Sequence, residues 1–156
     1  MYVLQSAEHW LIKMKKIALV TGGAGFIGSH MVDLLLRKNF EVKVVDNLST
    51  GRLKNLKINL KNKKFYFKKI DIGKISKNDK FFKNINYIFH FAGVADLVPS
   101  INNPEKYINV NLNGTIKLLE LAKKLKLKKF VYAASASCYG KTSSKPVKEN
   151  ASINLE

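Results

Sequence analysis

Three glycines at regular spacing, Gly22, Gly25 and Gly28, separate an apolar run from an amphipathic run of this sequence. The run at 16–20 is typical of a buried strand, and the residues after the glycines repeat with helical periodicity. Glycine lets the backbone reverse and lets a phosphate approach closely, while the amino end of a helix offers unpaired N–H groups and a positive dipole. The spacing therefore predicts a pyrophosphate-binding turn, and the alternative is an ordinary strand-to-helix turn.

A carboxylate follows this turn at the spacing of a dinucleotide site. Asp46 ends a second apolar run, at 41–45, and it stands about 20 residues beyond the glycines, where such sites place an acidic residue on the adenosine ribose. A carboxylate there repels a 2′-phosphate, so the position predicts a preference for NAD over NADP. The alternative interpretation of Asp46 is a turn residue at the end of a strand.

Small residues follow a further predicted strand, at 86–90. Ala92 and Gly93, next to Phe91, stand just past its carboxyl end. Open α/β sheets bind ligands at that edge, where bulky side chains would fill the crevice that a flat cofactor needs. We therefore expect this segment to border the cofactor.

These residues need a sheet that brings the carboxyl ends of several strands together. Short apolar runs predict strands at 16–20, 41–45, 64–67, 86–90 and 129–134. A long amphipathic helix is predicted after the fourth strand, with Asn103 as its N-cap and Pro104 as its first helical residue. The alternation predicts an α/β fold with a Rossmann-type doubly wound parallel sheet in strand order 3-2-1-4-5.

Four motifs occur in a fixed order along the chain. They are Thr-Gly-Gly-Ala-Gly-Phe-Ile-Gly at 21–28, His-Phe-Ala-Gly at 90–93, Asn-Leu-Asn-Gly-Thr at 111–115 and Ser-Ala-Ser-Cys-Tyr-Gly at 135–140. The sequence resembles the extended short-chain dehydrogenase/reductase family, in particular its NAD-dependent nucleotide-sugar epimerases and dehydratases of the UDP-glucose 4-epimerase type. The resemblance implies NAD as the cofactor and a nucleotide sugar as the substrate of the full-length relatives.

The resemblance also implies roles for individual residues. Ser135 falls on the catalytic serine or threonine position, whereas Ala95 stands where many family epimerases have a lysine. Asp71 falls where the family holds the adenine ring, although by itself it would be a loop aspartate that caps local structure. The implied cofactor contacts are Gly22, Gly25, Phe26, Ile27, Gly28, Asp46, Asn47, Asp71, Ile72, Phe91, Ala92, Gly93 and Asn111.

Asn111 and Gly114 are poor helix formers inside the predicted helix, and glycine there costs about 1 kcal/mol relative to alanine. The resemblance implies that this segment organises the floor of the active site. The alternative is a helix that merely tolerates them.

The catalytic pair of the resembling enzymes does not occur in this sequence. Those enzymes use Tyr-x-x-x-Lys, in which the tyrosinate is the general base, and no tyrosine here has a lysine four residues later. We therefore expect 14–156 to be an incomplete NAD-binding Rossmann domain, truncated before the substrate domain and inactive as it stands. The alternative is a non-catalytic NAD-binding regulatory module. Residues 1–13 precede the first predicted strand, so we expect them to be an amino-terminal extension or a wrongly assigned start.

The net charge of +17 and the pI of 10.0 raise the question of nucleic-acid binding. The lysines are dispersed through 54–83 and 117–148 without a motif of interleaved aromatic residues. This dispersal favours a solvated lysine-rich exterior, so we expect no nucleic-acid partner.

Other features of the sequence indicate where the protein works and with what. The single cysteine, Cys138, fits a reducing compartment, and no apolar run approaches the ~20 residues of a membrane span, so we expect a cytoplasmic protein. The scattered histidines indicate surface or packing positions and no metal site. The resemblance implies a homodimer formed through the helix after Pro104.

Overall fold

β1, at Ile17–Thr21, is buried along its whole length and lies in the middle of a parallel sheet. The structure is a computed structural model that describes residues 16–141 and 146–153. The other strands are β2 (Glu41–Asp46), β3 (Phe65–Lys69), β4 (Tyr87–His90) and β5 (Lys129–Tyr132). The order β3-β2-β1-β4-β5, with every pair parallel, confirms the predicted doubly wound fold.

Helices and short 3₁₀ segments connect the strands. The α-helices are α1 (Phe26–Arg37), α2 (Leu97–Asn102), α3 (Pro104–Tyr107) and α4 (Gly114–Ala122), and a π-helical turn at Ile108–Asn113 joins α3 to α4. The 3₁₀ segments are Leu53–Asn59, Ile72–Lys74, Lys80–Phe82 and Ala136–Tyr139.

The sheet separates two apolar layers, because successive side chains of a strand point to opposite faces. Ala18 and Val20 pack on one face, with the α1 residue Val32. Leu19 packs on the other face, in a layer that includes Leu118 of α4. Burial on both faces explains why β1 is a continuous apolar run rather than an alternating one.

The helix predicted after Pro104 is present, but it is not a single regular α-helix. Asn103 accepts a hydrogen bond from the Lys106 backbone N–H at 3.2 Å, as expected of an N-cap. The π-helical turn then interrupts the α-helix at the segment that carries Asn111. The Thr115 hydroxyl donates to the Asn111 carbonyl at 2.6 Å, a side-chain bond that competes with regular helix geometry.

β5 ends earlier than the predicted strand at 129–134. The Ala133 N–H still donates to the His90 carbonyl at 3.2 Å, and the chain then leaves the sheet. The cause is local, because Ser135 acts as the N-cap of the 3₁₀ segment Ala136–Tyr139 and accepts a hydrogen bond from the Ser137 N–H.

The predicted extension at 1–13, and the domain boundary at 14, lie outside the described residues. Within 16–141 and 146–153, no helix combines the length and the apolar character that a bilayer crossing needs. The same part of the chain contains no group of three or more side chains arranged to hold a metal ion.

Candidate functional site

Two clefts open side by side at the carboxyl ends of the strands and share the segment 91–94. The first cleft has a volume of about 320 Å³ and is bordered by Gly22, Gly25, Asp46, Asn47, Asp71, Ile72, Phe91, Ala92 and Gly93 of the predicted set. The second has a volume of about 410 Å³ and is bordered by Phe91, Ala92, Gly93, Asn111 and Ser135 of that set. The fold thus gathers residues from five separate loops at one edge of the sheet.

The glycine turn is packed too closely for larger residues. Gly22 has a φ of 66°, and a Cβ at this position would lie 2.7 Å from the backbone nitrogen of Ala92. A Cβ on Gly28 would lie 2.2 Å from the Gly22 carbonyl oxygen. The turn therefore lies directly against the loop that follows β4, with α1 immediately behind it.

The first turn of α1 offers its backbone to an anion. Gly25 is the N-cap, and Phe26, Ile27 and Gly28 follow it, so their N–H groups have no partner within the helix. The side chains of Phe26 and Ile27 are 78% and 60% exposed, and neither residue is among those that border the two clefts. Contact with a pyrophosphate would come through the N–H groups and the helix dipole.

Asp46 holds the glycine turn and the loop after β2 together. Its Oδ2 accepts a hydrogen bond from the Ala24 N–H at 2.9 Å, and its Oδ1 accepts one from the Leu48 N–H at 2.7 Å. The residue is only 7% exposed and still borders the first cleft. A carboxylate has about four acceptor positions, so capacity remains for the two hydroxyls of a ribose.

Asp71 caps local structure, which is the alternative to the adenine contact that the sequence analysis gave for it. Its Oδ1 accepts from the Gly73 N–H at 2.8 Å, and its Oδ2 accepts from the Asn47 side-chain amide at 2.8 Å. These bonds join the loops after β2 and β3 on one side of the first cleft. Ile72 is buried in the core and also borders that cleft.

A buried histidine connects the end of β1 with the helical stretch that follows β4. His90 is 1% exposed, with its Nδ1 2.7 Å from the Thr21 hydroxyl and its Nε2 2.9 Å from the Thr115 hydroxyl. Burial lowers the pKa of His90 from 6.5 to about 4, so the ring is neutral at neutral pH. His90 is therefore a packing histidine, which is one of the two alternatives, surface or packing, that the sequence analysis gave.

Asn111 closes around the backbone of Val94. Its Oδ1 accepts from the Val94 N–H at 2.9 Å, and its Nδ2 donates to the Val94 carbonyl at 2.9 Å. Both polar backbone groups of Val94 are therefore held by one side chain on the π-helical turn. Asn111 supports the shared wall of the clefts and also borders the second one.

Ser135 lies in an exposed position on the second cleft. Its hydroxyl donates to the Ser137 hydroxyl at 3.0 Å and accepts from the Ser137 N–H at 3.1 Å. The Ser135 oxygen could hydrogen-bond a substrate hydroxyl, but a serine hydroxyl is not a base at neutral pH. Proton removal in this cleft needs another group.

The sequence predictions missed three residues that build the site. Thr21, His90 and Thr115 form a hydrogen-bonded series, and His90 and Thr115 also border the second cleft. Each belongs to a motif that was recognised, at 21–28, 90–93 and 111–115. Their occurrence in those motifs was the only feature of the sequence that could have identified them, because no spacing rule relates the three positions.

The strand order, the glycine turn and the cleft at the strand ends define a Rossmann-type α/β domain. Residues 19–154 match the family model described as GDP-mannose 4,6 dehydratase. The chain belongs to this family, and thus to the nucleotide-sugar epimerases and dehydratases that its motifs resemble.

Several relatives of the chain are UDP-sugar 4-epimerases. UDP-glucose 4-epimerase uge1 of Schizosaccharomyces pombe is 40% identical over 126 residues, which are 78% of this chain and 36% of the relative. UDP-N-acetylglucosamine 4-epimerase from Methanobrevibacter ruminantium M1, solved with UDP-N-acetylmuramic acid, superposes with a TM-score of 0.80 at 34% identity over 91% of this chain and 45% of that one. UDP-glucuronic acid 4-epimerase from Bacillus cereus, solved with UDP-glucuronic acid and NAD, gives a TM-score of 0.79 at 30% identity over 89% of this chain and 46% of that one. The chain thus spans less than half the length of these relatives.

Proposed function

We propose that residues 14–156 form the NAD-binding region of a nucleotide-sugar epimerase that acts on UDP-sugars. The observation that carries the proposal is that the two clefts lie side by side along the shared segment 91–94, with Asp46 in one cleft and Ser135 in the other. Their volumes, about 320 and 410 Å³, lie within the usual size of small-molecule sites. The NAD complex of the Bacillus cereus epimerase supports the choice of cofactor.

The first cleft would hold the adenosine half of NAD, and the second would hold the nicotinamide half. Asp46 would accept hydrogen bonds from the adenosine ribose, and Asp71 and Ile72 would border the adenine. The pyrophosphate would lie against the glycine turn, because the amino end of α1 favours negative charge.

The second cleft is where sugar and nicotinamide meet. The chemistry that bound NAD would supply here is the acceptance of a hydride from a sugar carbon and its later return. Ser135 hydrogen-bonds the sugar hydroxyl that loses its proton, and Asn111 keeps the wall at Val94 in place beside the nicotinamide. The resemblance implies Tyr-x-x-x-Lys as the general-base pair, and no such pair occurs among the 156 residues.

This chain by itself therefore binds NAD without epimerising a sugar. General-base catalysis contributes about 10²–10⁴-fold, and missing contacts to the substrate remove more of the rate through lost orientation. The assay is incubation of the purified chain with NAD and UDP-galactose or UDP-glucose, followed by sugar analysis, with Ser135→Ala as the matched variant. Epimerised product that depends on Ser135 would contradict the proposal.

The second candidate is a non-catalytic NAD-binding regulatory module. It is favoured by one observation, that the described hydrogen bonds of Ser135 go to Ser137 rather than to a base. The two functions separate when the chain is extended with the remainder of a 4-epimerase relative. Turnover by that chimera supports the epimerase, whereas NAD binding without turnover supports the regulatory module.

We also propose that the chain forms a homodimer through the helical stretch after Pro104. Four exposed apolar side chains lie on this stretch at spacings of three and four residues, which places them on one helix face. We call this set the apolar strip; its residues are Ile108, Leu112, Ile116 and Leu119. A second copy of the chain would bury this strip.

Analytical sedimentation tests the proposed dimer. Leu119→Glu should give a monomer. The control Ile58→Glu, at a residue that is 83% exposed and lies outside the strip, should leave the dimer unchanged. A monomeric wild-type chain would contradict it.

We place the protein in the cytoplasm. The support is the single cysteine of these 156 residues, Cys138, which suits a reducing compartment. Cell fractionation should recover the protein with cytoplasmic markers, and recovery in a membrane or secreted fraction would contradict the assignment.

A further inference from the structure

The hydrogen bonds around His90 define one arrangement of protons. The Thr115 hydroxyl has a single proton, which it donates to the Asn111 carbonyl at 2.6 Å. Thr115 must therefore accept from His90, whose Nε2 carries the ring proton. The Nδ1 of His90 is then an acceptor for the Thr21 hydroxyl, and the Thr21 oxygen is left to accept from the Ala92 N–H at 3.3 Å.

This series of bonds reaches both ends of the wall between the two clefts. At one end Thr21 accepts from the Ala92 N–H, and at the other Asn111 holds both polar backbone groups of Val94. His90 is the link between the two ends, because its two nitrogens bond Thr21 and Thr115.

We propose that His90 and Thr115 are positioning residues that fix the segment 91–94 for the bound dinucleotide. This inference rests on the proposed NAD binding. Both residues border the second cleft, and the role proposed here acts through the segment 91–94 rather than through contact with the cofactor. Thr115 holds the carbonyl of Asn111 and so keeps the π-helical turn in the register at which the Asn111 amide meets Val94. Neutral His90 keeps Thr115 oriented, since its Nε2–H leaves the Thr115 proton free for Asn111.

The decisive comparison is Thr115→Val against Thr115→Ser. Valine keeps the branched shape but has no hydroxyl, so the Asn111 carbonyl and the His90 Nε2–H lose their partner; serine keeps the hydroxyl. We expect NAD affinity to fall about tenfold or more in Thr115→Val, because ordering the segment 91–94 on binding then costs free energy, and to be restored in Thr115→Ser. Phe65→Leu, which weakens packing at the amino end of β3, is the control for general destabilisation and should bind NAD as the wild type does.

Amide hydrogen exchange distinguishes a local effect at Val94 from a loss of overall stability, because a general loss would raise the exchange rates of amides throughout the sheet. The Val94 amide should exchange faster in Thr115→Val, while the amides of Val42 and Val44 on β2 should keep their protection. Unchanged Val94 exchange, or unchanged NAD affinity, would overturn the positioning role. A wild-type chain that fails to bind NAD would overturn the proposed function instead, and the exchange comparison would then still decide whether Thr115 fixes the wall.

The wild-type ring gives an independent test if Thr115→Val does not fold. The ¹⁵N shifts of the His90 imidazole should show a protonated Nε2 and an unprotonated Nδ1 at neutral pH. The opposite tautomer would overturn the proposal, because Thr115 would then donate to Nε2 and have no proton for the Asn111 carbonyl.

Discussion

At the residue scale, Asp46 combines a structural contact with a proposed ligand contact on one carboxylate. Asp46→Asn should raise the affinity ratio of NADP to NAD about tenfold or more, because it removes the charge that repels a 2′-phosphate. The asparagine side chain has only one acceptor oxygen for the Ala24 and Leu48 N–H groups, so the variant should also lose about 1–3 kcal/mol of stability. Because this loss affects the binding of both cofactors, the ratio of the two affinities is the quantity to compare. Calorimetric titration of both cofactors measures it.

Asp33→Asn is the matched control for that titration. Asp33 lies on α1, and its side chain accepts from the Asn59 amide, so the variant removes one negative charge without changing either cleft. Its affinity ratio should equal that of the wild type. Equal affinity of the wild-type chain for NAD and NADP would contradict the assignment of Asp46.

The buried His90 ring predicts how stability depends on pH. Its pKa is lowered by burial from 6.5 to about 4, so between these values the unfolded chain binds a proton that the folded chain does not. Stability therefore rises with pH across this window and is lost as pH falls through it, by about 2 kcal/mol between ~pH 7.5 and ~pH 5. Urea unfolding at the two pH values gives the difference.

His90→Gln separates this effect from other titrating groups. Glutamine has no proton to gain in this range, so the variant should lack most of the loss below ~pH 6.5. An identical pH dependence in the wild type and His90→Gln would show that His90 is not the buried neutral group.

The sequence predicted single residues well where a fixed spacing or a motif defines their position. Asp46 follows the glycines at the dinucleotide spacing, and it does border the first cleft. The pairing of His90 with Thr115 could not be predicted, because it joins residues 25 positions apart through a fold that must exist first.

At the element scale, Gly114 lies where the helical stretch packs closely against Ile72. A Cβ at this position would lie 2.5 Å from the Ile72 Cδ1 and 2.7 Å from its Cγ1. Glycine to alanine normally gains about 1 kcal/mol inside a helix, but here the collision should make Gly114→Ala destabilising by about 1–3 kcal/mol. Thermal and urea unfolding of the variant measure the change.

A double-mutant cycle with Ile72→Ala identifies the cause. Removing the Ile72 side chain beyond Cβ relieves both contacts, so the double variant should be more stable than the sum of the single changes predicts, by about 1 kcal/mol or more. Additive effects would show that Ile72 is not what excludes a side chain at 114.

The order of the strands was predictable because parallel strands joined by helices follow few topologies. The π-helical turn at Ile108–Asn113 was not. Its apolar positions repeat as in an ordinary helix. The change of helix geometry accompanies two hydrogen bonds that the pattern does not reveal. One joins Asn111 to Val94 in the loop after β4, and the other joins the Thr115 hydroxyl to the Asn111 carbonyl four residues earlier.

At the scale of the whole molecule, the charge of the chain complicates any binding measurement. The net charge of +17 attracts every anion, including a dinucleotide. Attraction of this kind is spread over the lysine-rich surface and weakens with salt, whereas binding in the clefts depends on position. A measurement that locates the cofactor is therefore more informative than an affinity alone.

The most direct test is titration of NAD into the isotope-labelled chain, followed by ¹H–¹⁵N NMR at ~0.15 M salt. We expect saturable changes confined to amides that border the two clefts, among them Gly22, Asp46, Asp71, Gly93 and Ser135. The absence of saturable change up to ~5 mM NAD, or small changes scattered over the lysine-rich surface that disappear as salt rises, would contradict the proposal that this domain holds NAD.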